Sequence, residues 1–193
     1  MKRLFDFLMS LIGLVILFPV LLLVALAVVL DSGWPVFFVQ KRVGLGGALF
    51  PMYKFRSMTV MREAASGSFD AGDSSRVTRV GRWMRKTKID ELPQLWNVLI
   101  GNMSLVGPRP EVQKWVLVYP ERWKLVHTVR PGITDNASIE FRNEEALLAA
   151  SQAPETTYME VVLPQKLALY ESYVRSHSFL GDVRIILKTL FPI

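Results

Sequence analysis

The sequence predicts an α+β protein, mostly helical and monotopic in a membrane. Its expected parts are an N-terminal re-entrant helix–break–helix, a small β-hairpin and amphipathic interfacial helices. Three observations predict this. Residues 7–30 form a run of 24 without a charge, with Pro19 inside it, Lys2 and Arg3 before it, and Lys41, Arg42, Lys54 and Arg56 after it. Two short apolar runs, 36–40 and 49–55, are separated by Gly44, Gly46 and Gly47. Residues 158–175 and 179–190 place apolar side chains at helical spacing, with faces suited to a core or a membrane surface.

A continuous helix over the uncharged run would cross a hydrocarbon core of about 30 Å, so a single transmembrane pass is the plain alternative. Pro19 argues against it, because an interior proline removes a backbone hydrogen bond and kinks or breaks a helix. The first half, residues 7–18, reaches only about 18 Å. Lysine and arginine mark cytoplasmic flanks, so basic residues at both ends favour a segment that enters and returns on one side. A cleaved signal peptide would use Lys2, Arg3 and the Ala25-Leu26-Ala27 site, but the apolar stretch exceeds the usual 7–15 residues or so. The expected division is 1–35 as membrane helix and 36–193 as one domain lying on the side of the basic flanks.

Composition narrows the partners. A chain of 193 residues supports one domain with a core. Half of it is apolar (51%), yet the net charge is +6. Such a surplus attracts nucleic acid, anionic lipid head groups and phosphorylated small molecules alike. Nucleic acid would account for the arginines and five tryptophans but not for the uncharged run, so no nucleic-acid partner is expected. The absence of cysteine excludes disulfides, thiolate catalysis and Cys-based zinc sites. With only His127 and His177, a histidine-rich metal site is excluded too.

Beyond the hairpin, residues 61–75 are small and polar and read as an irregular surface loop. Arg76, Arg79, Arg82 and Arg85 recur every third residue, a slowly drifting stripe on a helix. Residues 92–100 read as a short helix with Pro93 in its first turn. Residues 111–124 read as another, carrying Trp115, Tyr119 and Trp123. Residues 130–134 read as a turn opening an extended piece to 141, and 144–152 as helical.

The chemistry concentrates at Asp90 and Glu91. Both stand at the start of the 92–100 helix, where free backbone N–H groups and the helix dipole favour ionised carboxylates, and nearby arginines are expected to push the same way. An ionised carboxylate attacks a phosphoryl group without a separate base. A neighbouring glutamate suits Mg²⁺, which binds through one or two carboxylates plus substrate phosphates. The bland reading of the pair, an N-cap followed by a favourable first-turn acid, is displaced by its surroundings.

Those surroundings are Lys54-Phe55-Arg56-Ser57-Met58, Arg85 with Asp90-Glu91-Leu92-Pro93-Gln94, the run from Gly101 to Pro110 ending Val106-Gly107-Pro108-Arg109-Pro110, and Arg130-Pro131-Gly132-Ile133-Thr134. In this order and spacing the chain resembles the bacterial sugar transferases, the monotopic phosphoglycosyl transferase family, over nearly its whole length. The resemblance implies transfer of a sugar-1-phosphate from a UDP-sugar to a polyprenol (undecaprenyl) phosphate, with release of UMP. It implies two steps through a covalent phosphosugar-aspartate, at the cytoplasmic face of the bacterial inner membrane among its lipids, as the first membrane step of glycoconjugate synthesis. Carried over, Asp90 is the nucleophile and Glu91 helps position Mg²⁺. Arg85 and Arg109 hold phosphates, Lys54 and Arg56 are a basic pair near the site, and Pro19 is the membrane-helix break. Arg3 with Asp182 matches a pairing of the N-terminus with the last helix, and the length corresponds to the family's minimal catalytic unit.

Two departures stand out. Phe18 precedes the proline where serine is common, leaving Ser10 or water to satisfy the freed carbonyl. After Thr134 the chain reads Asp135-Asn136-Ala137-Ser138-Ile139 where many members have Gly-Trp-Ala-Gln-Val.

Overall fold

A computed structural model describes residues 1–59 and 76–191; the loop expected at 61–75 lies outside the described residues. The N-terminal segment is a single helix, α1 (Lys2–Ser32), with Pro19 inside it. The expected helix–break–helix is therefore one helix with an interior proline. A proline at 19 removes only the bond to the Val15 carbonyl, and the flanking apolar residues keep the remaining ladder. Ser10 does not serve that carbonyl: its hydroxyl donates to Phe7 O at 3.0 Å.

What surrounds α1 is uneven. Its middle is exposed and apolar, from Leu11 and Ile12 through Val15, Ile16 and Phe18 to Leu22 and Leu23. Both ends are anchored. At the head, Arg3 donates to the Val98 and Leu99 carbonyls (2.6 and 2.8 Å), and Asp6, 2% exposed, accepts from the Ser104 hydroxyl at 2.8 Å and the Leu105 N–H at 3.2 Å. Lys2, not Arg3, meets Asp182, at 2.5 Å. Arg3 is instead drawn to the carbonyls that end a helix, groups left without intrahelical donors. At the tail, Val24 and Val28 pack with Val36, Phe55 and Met84. There Arg56 donates to the Ser32, Gly33 and Trp34 carbonyls (2.8, 2.6 and 2.8 Å).

The hairpin forms as read: β1 (Phe37–Val43) and β2 (Leu49–Phe55) are antiparallel, with Phe37 opposite Phe55 and Val43 opposite Leu49. Gly46 and Gly47 take φ of 65° and 80° in the turn, a region side chains disfavour. Helix α2 (Arg79–Thr87), capped by Thr78, leads through one tight turn (Ile89–Glu91) into α3 (Gln94–Leu99). Arg76 lies before α2, so three of the four spaced arginines share that helix.

A two-stranded parallel pair, β3 (Ser104–Val106) and β4 (Gly132–Thr134), follows, with Ser104 opposite Gly132. The motifs around 101–110 and 130–134 thus meet in space. A Cβ on Gly132 would lie 2.1 Å from Gly107 N, and one on Gly107 would lie 2.5 Å from Arg130 O. Only glycines admit this backbone-to-backbone approach.

The single helix read at 111–124 is two, α4 (Gln113–Val116) and α5 (Pro120–Val126), because Pro120 cannot continue α4 but suits a first turn. The extended piece read to 141 ends at Asp135. Its carboxylate accepts the Ser138 N–H at 2.9 Å and starts α6 (Asn136–Glu140). Then come α7 (Glu144–Ala149), α8 (Pro154–Thr157), a wide turn (Tyr158–Val162), α9 (Leu163–Ser176) and α10 (Phe179–Leu190). Trp115, Trp123, Leu148, Leu163, Leu167 and Tyr170 form the main core, while Val106 of β3 packs with Tyr173 and Ile185 in a smaller cluster.

Candidate active site

Three segments bring the chemistry together. Lys88 closes α2 in a left-handed conformation (φ 59°), which swings the chain so that Ile89 joins the Val28–Phe55–Met84 cluster. The next two residues are Asp90 and Glu91. Strand β2 carries Lys54. The loop fixed by Gly107 and Gly132 carries Arg109 between two prolines, whose rings hold φ near −65°.

Glu91 is the hub. Its Oε1 accepts from Lys54 Nζ at 2.9 Å and from an Arg109 guanidinium nitrogen, and its Oε2 accepts from the other at 3.0 Å. Burial by itself would raise the Glu91 pKa, but Arg109 and then Lys54 hold it well below the usual carboxylate range. The same pair, led by the charge of Glu91, raises the Arg109 pKa, so this guanidinium stays charged. Burial lowers the Lys54 pKa, with Glu91 opposing.

Asp90 differs from its neighbour. It is 7% exposed, and its Oδ1 is buried without a hydrogen-bond partner. Burial raises its pKa above the ordinary aspartate value, against the pull of Lys54 and with a further push from Glu91. The cations do favour the ionised form as expected from the sequence, but burial is the larger influence. The tight turn places Asp90 in the protein interior, where desolvation outweighs the cations.

Of the four basic candidates, Lys54 and Arg109 join the acid pair directly. Arg85, in the last turn of α2, instead pairs with Glu145 of α7. Arg56 is bonded elsewhere. It is 5% exposed and its guanidinium is engaged by the end of α1, because a buried guanidinium requires acceptors and three adjacent carbonyls supply them.

The sequence reading missed Asn97. It accepts the Tyr53 N–H (3.1 Å) and donates to Pro51 O (2.7 Å), which pins α3 to β2 and so sets where Lys54 stands. Its one signal was a polar residue inside the apolar run 92–100.

Among the described residues no group of three or more His, Asp or Glu gathers as a metal site. Mg²⁺ does not need one where substrate phosphates complete its shell. Glu91 accepts three bonds of the roughly four its carboxylate has room for, and Asp90 Oδ1 accepts none. The chemistry of this donor set, two adjacent carboxylates with room for further bonds, suits such an ion.

Known proteins match this chain in sequence. A family model described as "Bacterial sugar transferase" matches residues 1–193. The chain is 41% identical over 191 residues to the sugar transferase EpsL of Bacillus subtilis, covering 98% of this chain and 85% of that one. It is 40% identical over 196 residues to an undecaprenyl-phosphate glucose phosphotransferase of Komagataeibacter xylinus, covering 98% of this chain and 35% of the relative. It is 38% identical over 192 residues to a UDP-N-acetylgalactosamine-undecaprenyl-phosphate N-acetylgalactosaminephosphotransferase of Aeromonas hydrophila, covering 98% and 42%. The chain therefore spans well under half the length of several curated relatives. With the family model matching from first residue to last, this chain belongs to the bacterial sugar transferase family.

Proposed function

We propose that this chain transfers a sugar-1-phosphate from a UDP-sugar to a polyprenol phosphate, undecaprenyl phosphate in the bacterial inner membrane, on the cytoplasmic side. The names of the relatives support the reaction class. The observation that carries the mechanism is Asp90: a buried carboxylate oxygen with no partner, one residue from a glutamate clasped by a lysine and an arginine.

In the first step an Asp90 oxygen forms a bond to the sugar-side phosphorus. The P–O bond to the bridging oxygen breaks, and its electron pair leaves with UMP. In the second, an oxygen of the polyprenol phosphate attacks the same phosphorus and Asp90 departs as a carboxylate. Arg109 and Lys54, held by Glu91, face the phosphates and offset their charge. Mg²⁺, held by Glu91 and substrate phosphates, supplies further neutralisation of that charge when bound. Arg85 lies one turn upstream, and exchange from exposed Glu145 to a phosphate is the part we assign to it.

UMP release with a panel of UDP-sugars tests the reading. Release that needs undecaprenyl phosphate is expected with UDP-glucose, UDP-N-acetylgalactosamine or a related hexose or N-acetylhexosamine. Silence across the panel would remove the assignment.

The domain reading, 1–35 in the membrane and 36–193 as the catalytic unit, and the re-entrant path are supported by how α1 is held. Lys2, Arg3 and Asp6 bind polar groups of the same body that binds Asp31, Ser32 and Gly33. A helix crossing the bilayer upright would put these ends on opposite faces. The native chain lacks cysteine, so single cysteines at Leu4 and Lys41 are clean reporters. Both are expected to react with an impermeant maleimide from the cytoplasmic side, and labelling from opposite sides would show a full crossing.

A further inference from the structure

Along α3 and the turn before it, Glu91, Gln94 and Asn97 recur every third residue, and the chain between them stays helical through Leu92 (φ −55°, ψ −33°) and Pro93 (φ −59°, ψ −18°). This spacing makes one polar stripe. It faces β2 at both ends: Glu91 bonds Lys54, and Asn97 bonds Tyr53 and Pro51. Gln94 therefore lies between two partnered neighbours, level with the acid pair. It is 1% exposed, and its Nε2 has no hydrogen-bond partner.

A buried amide donor without an acceptor is rare and destabilising in a folded protein, and each case calls for a reason. Here a second orphan stands one turn away, the Asp90 Oδ1 acceptor. The two do not bond each other, so the structure holds an unfilled donor and an unfilled acceptor on adjoining turns. A phosphoryl group satisfies both at once, its phosphorus meeting the carboxylate oxygen and a non-bridging oxygen meeting the amide. Lys54 and Arg109 keep N–H donors beyond those given to Glu91, so the amide adds to their contacts with the phosphates and does not replace them.

We propose that Gln94 is a catalytic residue, donating from Nε2 to a non-bridging oxygen of the phosphoryl group under attack by Asp90. The inference rests on the nucleophile assignment above. The N–H keeps its proton throughout and stabilises charge as it builds on the phosphoryl oxygens. The amide is preorganised by burial and needs no reorientation of solvent at the moment of reaction.

The test uses the full chain in nanodiscs containing undecaprenyl phosphate, with Gln94→Met, Gln94→Asn and Asp90→Asn made side by side. Methionine nearly matches glutamine in shape and lacks the donor. Gln94→Met is expected to melt at or above the wild-type midpoint, since no structural bond is lost. Its single-turnover rate of adduct formation should fall about 10²-fold, with KM for the UDP-sugar within about twofold. Gln94→Asn, a donor on a shorter arm, should fall between them. A wild-type rate in Gln94→Met, a raised KM at unchanged kcat, or a midpoint several degrees lower would each overturn the role. Turnover surviving in Asp90→Asn would instead sink the nucleophile reading, so the two failures are distinguishable.

Discussion

Asp90→Asn is expected to abolish UMP release, by on the order of 10⁴-fold or more, while leaving a folded and slightly more heat-resistant protein. The two halves of this result share one cause. Oδ1 is buried and unpartnered, so an ionised carboxylate here is desolvated without full compensation, and its pKa is raised. Because the folded protein holds this proton more tightly than the unfolded chain, stability falls as pH rises from the ordinary aspartate range through the folded value. It then stays lowered above it. The isosteric amide removes that penalty and the nucleophile together. The midpoint difference between variant and wild type should therefore grow with rising pH and level off at neutrality. Melts between pH 4 and 8, with mass spectrometry of the denatured enzyme for a phosphosugar adduct, check both halves. The wild-type acid limb of kcat/KM should also lie above the ordinary aspartate value. A fully active Asp90→Asn, or an adduct on it, would sink the assignment.

Glu91→Gln should do the reverse to stability. Glu91, with its side chain only 13% exposed, holds Lys54 and Arg109, and removing its charge leaves two largely buried cations facing each other. Breaking a pair of this kind costs about 3 kcal/mol at the lower end of the range for buried pairs. For a chain of this size that is roughly 6 to 12 °C in midpoint. The pH dependence has the opposite sign to that of Asp90. The folded pKa is depressed, so the stabilisation is complete above the ordinary glutamate value and drains away as pH falls through the depressed one. The deficit of Glu91→Gln should be full at pH 7 and shrink in strong acid. Turnover should also drop about 10²-fold or more, since the phosphate-facing cations lose their orientation. Melts at pH 7 and pH 3.5 separate this from a surface ion pair, which would change the midpoint little at either pH.

Much of this was legible in the residues, and the losses share a pattern. The hairpin was readable because Gly46 and Gly47 punctuate two apolar runs, and α10 because its apolar residues recur at helical spacing. Asp90, Glu91, Lys54 and Arg109 were readable from chemistry and resemblance. What failed was pairing across long separations. Nothing local distinguishes Lys2 from Arg3 as the partner of Asp182, nor tells that Arg56 closes α1 while Lys54, two residues earlier, meets Glu91. Strand alternation would give residues 54 and 56 the same face, so only the neighbours met in the fold, the end of α1 beyond the end of β2 and Glu91 beside it, separate their roles. The pKa direction of Asp90 was missed for a similar reason: a helix start and nearby arginines are visible in sequence, and depth is not. The segments 111–124 and 135–141 were misread for want of weight on Pro120 and on the capping carboxylate of Asp135.

The way α1 is fastened has a practical consequence. An anchor joined by a tether can be trimmed away to leave a water-soluble enzyme, whereas this one is riveted at both extremities. Cutting it off would strip acceptors from the guanidinium of Arg56, leave the hydroxyl of Ser104 without Asp6, and take from the Asp182 carboxylate its lysine, leaving it only the Tyr173 hydroxyl. The long apolar helix and the acid–base cluster are thus a single piece of engineering, and the offset between them is a property of the fold rather than of a leash.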